Sequence, residues 1–351
     1  MLIQPIEREY VACDICGGTD SRVLYTSHDR LHGCPGTYTG VKCRRCELVY
    51  LNPRPTAASL TGYYPPEYEC YRDEARASHL PPPRARSTWV KRVAFHLRLE
   101  HTARRQWFGY PAQAGEGWYQ RSPRLAPLLK LLSYPASCWL DVTPCPRPGR
   151  VLDIGCGNGK TLDRFSAEGW RTSGVELNPS IAERARQRGH DVFCGELAGA
   201  KFPEAHFEAV IIEHTLEHVG SPVALIREVH RILQPGGYFK IVVPNFGGLL
   251  ARTFGQDWYM LDVPRHLYQF TPRTLRRLLE SNGFIVDLLR THSRPAHVVH
   301  SLEYAMARRQ GAKLGPSAAR ELLERVARPL CRSLDLLRIG DELIVCARSR
   351  P

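Results

Sequence analysis

From Arg150 onward, short β-branched or apolar runs ("RVLDIG", "RTSGVEL", "DVFCG", "FEAVII", "YFKIVVP") alternate with stretches of helical period. Such an alternation closes into a parallel sheet with helices packed on its faces. The helix starts carry their own signals. Asn178-Pro179, Ser221-Pro222 and Thr271-Pro272 each set a capping side chain before a proline that fits the first helical turn. The stops are as plain: Gly189, "QPGG" at 234–237 and "SNG" at 281–283 follow the last apolar positions. Val223, Ile226, Val229 and Leu233 recur at helical spacing, which gives that helix one face to bury on the sheet.

The first of these strands runs into "DIGCGNGK", where glycines 155, 157 and 159 allow a ligand to approach the backbone at the strand-to-helix turn. The sixth position of the dinucleotide fingerprint is Lys160 rather than glycine, which disfavours a nicotinamide dinucleotide. Asp153 would repel a pyrophosphate but attract an ammonium group. Glu176 ends the next strand in "GVELN", where its carboxylate can accept hydrogen bonds from both hydroxyls of a ribose. A ribose, a cationic amino-acid end and no phosphate describe S-adenosylmethionine.

Over residues 150–348 the chain resembles the class I S-adenosylmethionine-dependent methyltransferases. The resemblance rests on "VLDIGCGNG", "GVELN", "GELAGAKFPEAHFEAVIIEHTLEHV", "LIREVHRILQPGG" and "GDELIVCA". It implies an α/β, Rossmann-like sheet, mostly parallel, with an antiparallel last strand expected at the sheet's edge. By position, Asp153, Gly155 and Gly157 would hold the methionyl end and Glu176 the ribose. Leu177 would lie against the adenine, with Glu196 and Leu197 near its edge, although Glu196 replaces a more usual aspartate. His214 in "EHTLEH" would sit by the sulfonium; the competing reading makes His214 and His218 purely structural.

The acceptor side should lie beyond the fourth and fifth strands, at "WYMLDVPRHLYQFTP". This stretch resembles the P-R-H-L-x-x-F-[ST]-P segment of a bacterial branch that includes relatives of the ubiquinone-biosynthesis O-methyltransferases. His266 is either the base for an acceptor hydroxyl or a hydrogen-bonded tie between loop and helix. Arg265 pairs either with an acidic substrate group or with a carboxylate of the protein. No N-P-P-[YF] follows the fourth strand, where nucleic-acid amino methyltransferases carry it, so oxygen or carbon of a small molecule or glycan is the expected nucleophile. A nucleotide-linked or lipid-linked sugar would suit.

Ahead of this unit stand Cys13-x2-Cys16 and Cys43-x2-Cys46, a spacing that suits a closed, tetrahedral, structural zinc site, with His32 and Cys34 as reserve ligands. The surroundings resemble the zinc-ribbon heads of bacterial polysaccharide and natural-product methyltransferases. The expected divisions are a zinc-ribbon-like module at 1–60, a basic Pro/Arg-rich helical connector or lid at 61–149, and the methyltransferase domain at 150–351.

The formal charge of +13 is concentrated in two segments: 70–149 has 13 basic against 5 acidic residues, and 294–351 has 11 against 6. Such segments could grip RNA, which makes an RNA methyltransferase the alternative function, though no aromatic-and-basic single-strand module is evident. Trp89, Val93 and Leu97 could line a face toward an anionic membrane or toward the protein's own body. A non-catalytic adaptor would need a broken cofactor loop, and this one is intact. The start "MLIQPIEREY" does not read as a signal peptide, and no apolar run approaches the roughly 18 residues of a spanning helix. A cytoplasmic protein with reduced thiols is therefore expected.

Overall fold

A computed structural model of the chain describes residues 7–64, 102–103, 122–137, 148–310 and 317–350. The stripe Trp89, Val93 and Leu97 and most of the basic connector lie outside the described residues; within the connector a helix spans Ala126–Ser137. Among the described residues, no helix is long and apolar enough to cross a membrane.

The strands of the N-terminal head are β1 (Arg8–Glu9), β2 (Ser21–Ser27), β3 (Tyr38–Cys43), β4 (Val49–Leu51) and β5 (Arg54–Pro55). The remainder contributes β6 (Arg150–Ile154), β7 (Arg171–Glu176), β8 (Asp191–Cys194), β9 (Phe207–Glu213), β10 (Leu233–Pro244), β11 (Tyr268–Gln269), β12 (Phe284–His292) and β13 (Glu342–Ser349). Seven of these form one sheet in the order β12-β13-β10-β9-β6-β7-β8. From β8 to β10 every pairing is parallel. Ala209, Val210, Ile211 and Ile212 in β9 are all fully buried, as expected of a central strand covered by helices on both faces.

One expectation needs correction. The last strand, β13, is antiparallel but is not an edge strand: it lies between β10 and β12 and pairs with both. Leu343, Val345, Cys346 and Ala347 are almost completely buried, so the strand needs neighbours on either side to satisfy its backbone.

The helix starts have the local chemistry that fixes them. The Asn178 side chain accepts from the Ser180 and Ile181 amides, Ser221 Oγ accepts from the Ala224 amide, and Thr271 forms a reciprocal pair with Thr274. Because the parallel strands share one direction, their C-terminal ends all open on the same edge of the sheet, where α/β folds place their ligands.

The head is built into this body. Its four-stranded sheet runs β11-β4-β3-β2, so the outer strand is supplied by Tyr268–Gln269, which pair with Tyr50 and Val49. Tyr38, Leu48, Tyr50 and Leu51 belong to the same buried cluster as Val263, Leu267 and Phe270. Asp14 of the head accepts from Ser221 Oγ and the Val223 amide, both at 2.8 Å, and so caps a helix of the large sheet.

The strongest tie is Arg265, whose side chain is completely buried. Its guanidinium donates to both oxygens of Asp29 at 2.7 and 3.0 Å, to Asp262 at 2.6 Å and to the Tyr63 carbonyl. Thus Arg265 pairs with carboxylates of the protein. Those contacts hold its charge in place, and burial alone would oppose it. Replacing Arg265 by Met leaves Asp29 and Asp262 facing each other with no cation, and is expected to destabilise the protein by about 3–5 kcal/mol. Denaturant unfolding measures this, and a loss below about 1 kcal/mol would contradict the account of the tie.

Candidate active site

The loop after β6 turns through Gly155, Gly157 and Gly159, all at positive φ (77°, 53° and 83°). At Gly155 a Cβ would also meet Thr215 Oγ1 at 2.2 Å, so no larger residue fits there. Gly159 stands at the N-cap of the helix Lys160–Ala167. This geometry leaves the loop open along the sheet edge.

Glu176 is held from two sides at that edge. The Gly157 amide donates to Oε2 at 3.1 Å and the Asn178 amide to Oε1 at 2.9 Å. Each carboxylate oxygen has two acceptor sites, so one remains on each oxygen for a ligand hydroxyl. Burial raises the Glu176 pKa, and the backbone amides of Asn178, Gly157 and Leu177 oppose that rise. Asp153 is buried (4% exposed), and burial followed by the neighbouring Glu213 charge pushes its carboxyl up to about 8. Leu177 is 66% exposed beside the loop, Glu196 is exposed at the end of β8, and Leu197 is packed into the core.

A second group of side chains collects after β9. His214 takes a left-handed backbone (φ 51°) and places Nδ1 3.5 Å from Glu217 and Nε2 3.1 Å from Glu342. Burial alone would lower its pKa, but the two adjacent carboxylates carry it up to about 10, so its imidazole is charged at neutral pH.

His266 donates from Nδ1 to the Met260 carbonyl at 2.8 Å, because a carbonyl can only accept. Its Nε2 lies 3.9 Å from both Glu217 and Asp262, and in the neutral ring this nitrogen carries the lone pair. His218 Nδ1 lies 3.1 Å from the Arg265 carbonyl and 3.0 Å from the Tyr64 hydroxyl. Burial and then His266 lower the His218 pKa to about 4, so this ring is neutral. Glu217 is fully buried, and neither of its oxygens has a hydrogen-bond partner within normal geometry among the described residues.

Sequence reasoning singled out His214, His218 and His266 but passed over Glu217 and Asp262. Glu217 was signalled only by its place next to His218. Glu217, His218 and His266 each offer a ligand atom, all within 4.8 Å, a set able to relay a proton or hold a cation.

In the head, the sulfurs of Cys13, Cys16, Cys43 and Cys46 also lie within 4.8 Å of one another, with Cys13–Cys46 at 3.2 Å and Cys16–Cys43 at 3.6 Å. A tetrahedral zinc with bonds of about 2.3 Å sets its sulfurs about 3.8 Å apart, so the four thiols fit the ion. Burial and then the Cys46 sulfur hold the Cys13 thiol against ionisation. At Cys43 burial works the same way, but the amides of Cys46 and Arg45 bring it down to about 7. Cys34 and His32 are not part of this set; their amides donate to Asp29.

Residues 118–289 match the family model described as a methyltransferase domain. The ubiquinone biosynthesis O-methyltransferase of Aromatoleum aromaticum is 27% identical over 178 residues, 47% of this chain and 76% of its own. The malonyl-[acyl-carrier protein] O-methyltransferase of Serratia marcescens is 28% identical over 130 residues, 36% of this chain and half of its own. A solved S-adenosylmethionine-dependent methyltransferase from Archaeoglobus fulgidus aligns at TM-score 0.41 and 22% identity, over 57% of this chain and 86% of that one. The seven-stranded sheet, whose last strand alone runs antiparallel, carries a methyltransferase domain across its parallel core, and the chain is similar to S-adenosylmethionine-dependent methyltransferases.

Proposed function

We propose that the protein transfers the methyl group of S-adenosylmethionine to an oxygen or carbon of a small-molecule or glycan acceptor, such as a nucleotide-linked or lipid-linked sugar. The observation that carries this reading is the row Glu176, His214, Glu217 and His266 along one edge of the sheet: a cofactor end followed by a base with a free lone pair. Asp153, Gly155 and Gly157 would receive the methionyl end, and Glu176 the ribose. Leu177, with its large exposed face, would cover the adenine, and Glu196 and Leu197 would border it. His214 would sit by the sulfonium.

For a hydroxyl acceptor, the oxygen attacks the methyl carbon in line, the carbon–sulfur pair leaves with sulfur, and the proton passes to His266 Nε2. Glu217 would then face the imidazolium and stabilise it. Four thiolates would close the coordination of a structural zinc in the head. A cytoplasmic setting fits reduced cysteines of this kind.

Asp153 gives this reading a pH dependence. Burial and the Glu213 charge push its carboxyl up to about 8, and the cofactor's ammonium group needs the carboxylate. Below pH 8 the carboxyl is mostly protonated, so binding must release its proton. Calorimetry in buffers of different ionisation enthalpy should show proton release at pH 7. Affinity should rise by up to about tenfold per unit from pH 6 toward 8, and Asp153→Asn should flatten the profile. A wild-type profile that is already flat would refute this role.

The acceptor class is tested by incubating the protein with methyl-labelled cofactor and separate pools of nucleotide sugars, lipid extract and RNA. Label in either of the first two supports the reading. Label confined to RNA, with a steep salt dependence of binding, would replace it.

A further inference from the structure

The helix Ser317–Leu336, inserted between β12 and β13, carries apolar residues on two sides. On one side Ala327, Cys331 and Leu334 are buried in the main core. On the other, Leu322, Val326 and Leu330 follow one another at every fourth residue and are 61%, 67% and 47% exposed. Leu337, 67% exposed on the turn that closes through its amide to the Ser333 carbonyl, continues the row. Scattered exposed apolar side chains need no explanation, but four in one row leave a continuous apolar stripe facing water.

The exposed charges beside the stripe are mostly of one sign. Arg325, Arg328, Arg332 and Arg338 are exposed, while Glu321, 3.7 Å from Arg325, is the one exposed acid among the described residues 319–338. That sign decides between the possible covers. The chain's own connector at 70–149 holds 13 basic against 5 acidic residues, and a second copy would bring the same arginines. Either would set cations against cations. An anionic lipid surface meets both features, because its acyl chains accept the apolar row and its phosphates pair with guanidinium groups.

We infer that this helix docks the protein on an anionic bilayer, lying along the surface with Leu322, Val326, Leu330 and Leu337 inserted among the acyl chains. The docked stripe ends beside the proposed active site: Leu337 is five residues before Glu342, whose carboxylate stands 3.1 Å from His214 Nε2. A lipid-linked acceptor would meet the protein at that end. This consequence rests on the proposed methyl transfer, whereas the docking itself does not.

The test is co-sedimentation of the full-length, zinc-loaded protein with vesicles of phosphatidylcholine alone and of phosphatidylcholine mixed with phosphatidylglycerol. Neither cofactor nor acceptor is added, so the result does not depend on activity. Wild-type protein should bind the anionic vesicles about tenfold or more tightly than the neutral ones, and salt should weaken that binding. The double variant Leu322→Gln with Val326→Gln changes two exposed side chains, so the melting temperature and zinc content should hold while affinity for anionic vesicles falls about tenfold or more. Arg328→Gln should weaken it about fivefold. Failure of the wild type to bind anionic vesicles, or equal binding by the wild type and both variants, would overturn the inference. So would a wild-type dimer in sedimentation velocity that the double variant dissolves, because a second copy would then cover the stripe.

Discussion

Glu176→Ala is expected to weaken S-adenosylmethionine binding by about 100-fold or more. Its carboxylate is fixed by the Gly157 and Asn178 amides, and each oxygen keeps one free acceptor site for a ribose hydroxyl. A hydrogen bond to a charged group contributes about 1.5–3 kcal/mol, so losing two exceeds about 3 kcal/mol, or two orders of magnitude in affinity. The variant also frees the Gly157 amide and loosens the glycine loop, which acts in the same direction. Glu176→Gln keeps the shape and one acceptor oxygen and should fall between the two. Calorimetric titration gives the numbers, and wild-type affinity in Glu176→Ala would end the ribose assignment.

The second large effect concerns the head. Purified protein should carry about one zinc per chain, and Cys43→Ser should lose it. Cys13, Cys43 and Cys46 lie in the same buried cluster as Leu48, Tyr50, Val263 and Phe270, so losing the ion unpacks a wall of the main core. Structural zinc commonly contributes folding free energy outright, and a loss of about 5 kcal/mol or more is expected in Cys43→Ser, alongside a zinc content near zero. Wild-type protein that is free of zinc and fully folded would contradict this. The damage should reach the acceptor side before the cofactor side, because β11, which completes the head sheet, follows directly on Arg265-His266-Leu267.

Much of this structure is written in local signals. The apolar run in "FEAVII", the capping side chains before Pro179, Pro222 and Pro272, and the glycines after Ile154 all act within a few residues of where they stand. They can therefore be read from the chain alone. The four clustered cysteines are legible for the same reason, since each pair sits on one tight turn.

What stayed hidden depends on pairing across long sequence separations. Nothing near Tyr268 announces that it will pair with Tyr50, and nothing in "GDELIVCA" tells whether that strand has one neighbour or two. Glu217 reads as an ordinary surface acid until the fold buries it between His214 and His266. Arg265 was legible as a residue seeking a carboxylate, but its partner Asp29 lies in another module.

The central claim is methyl transfer from a cofactor held at Glu176 to a small acceptor beside His266. It is tested most directly by counting labelled methyl groups passed from S-adenosylmethionine into a nucleotide-sugar and lipid pool by wild-type protein, Glu176→Ala and His266→Gln in parallel. The account predicts label in that pool with the wild type, almost none with Glu176→Ala at cofactor concentrations that saturate the wild type, and about a 100-fold slower rate with His266→Gln despite normal cofactor binding. Label that appears only in RNA, or that appears equally with all three proteins, would contradict it.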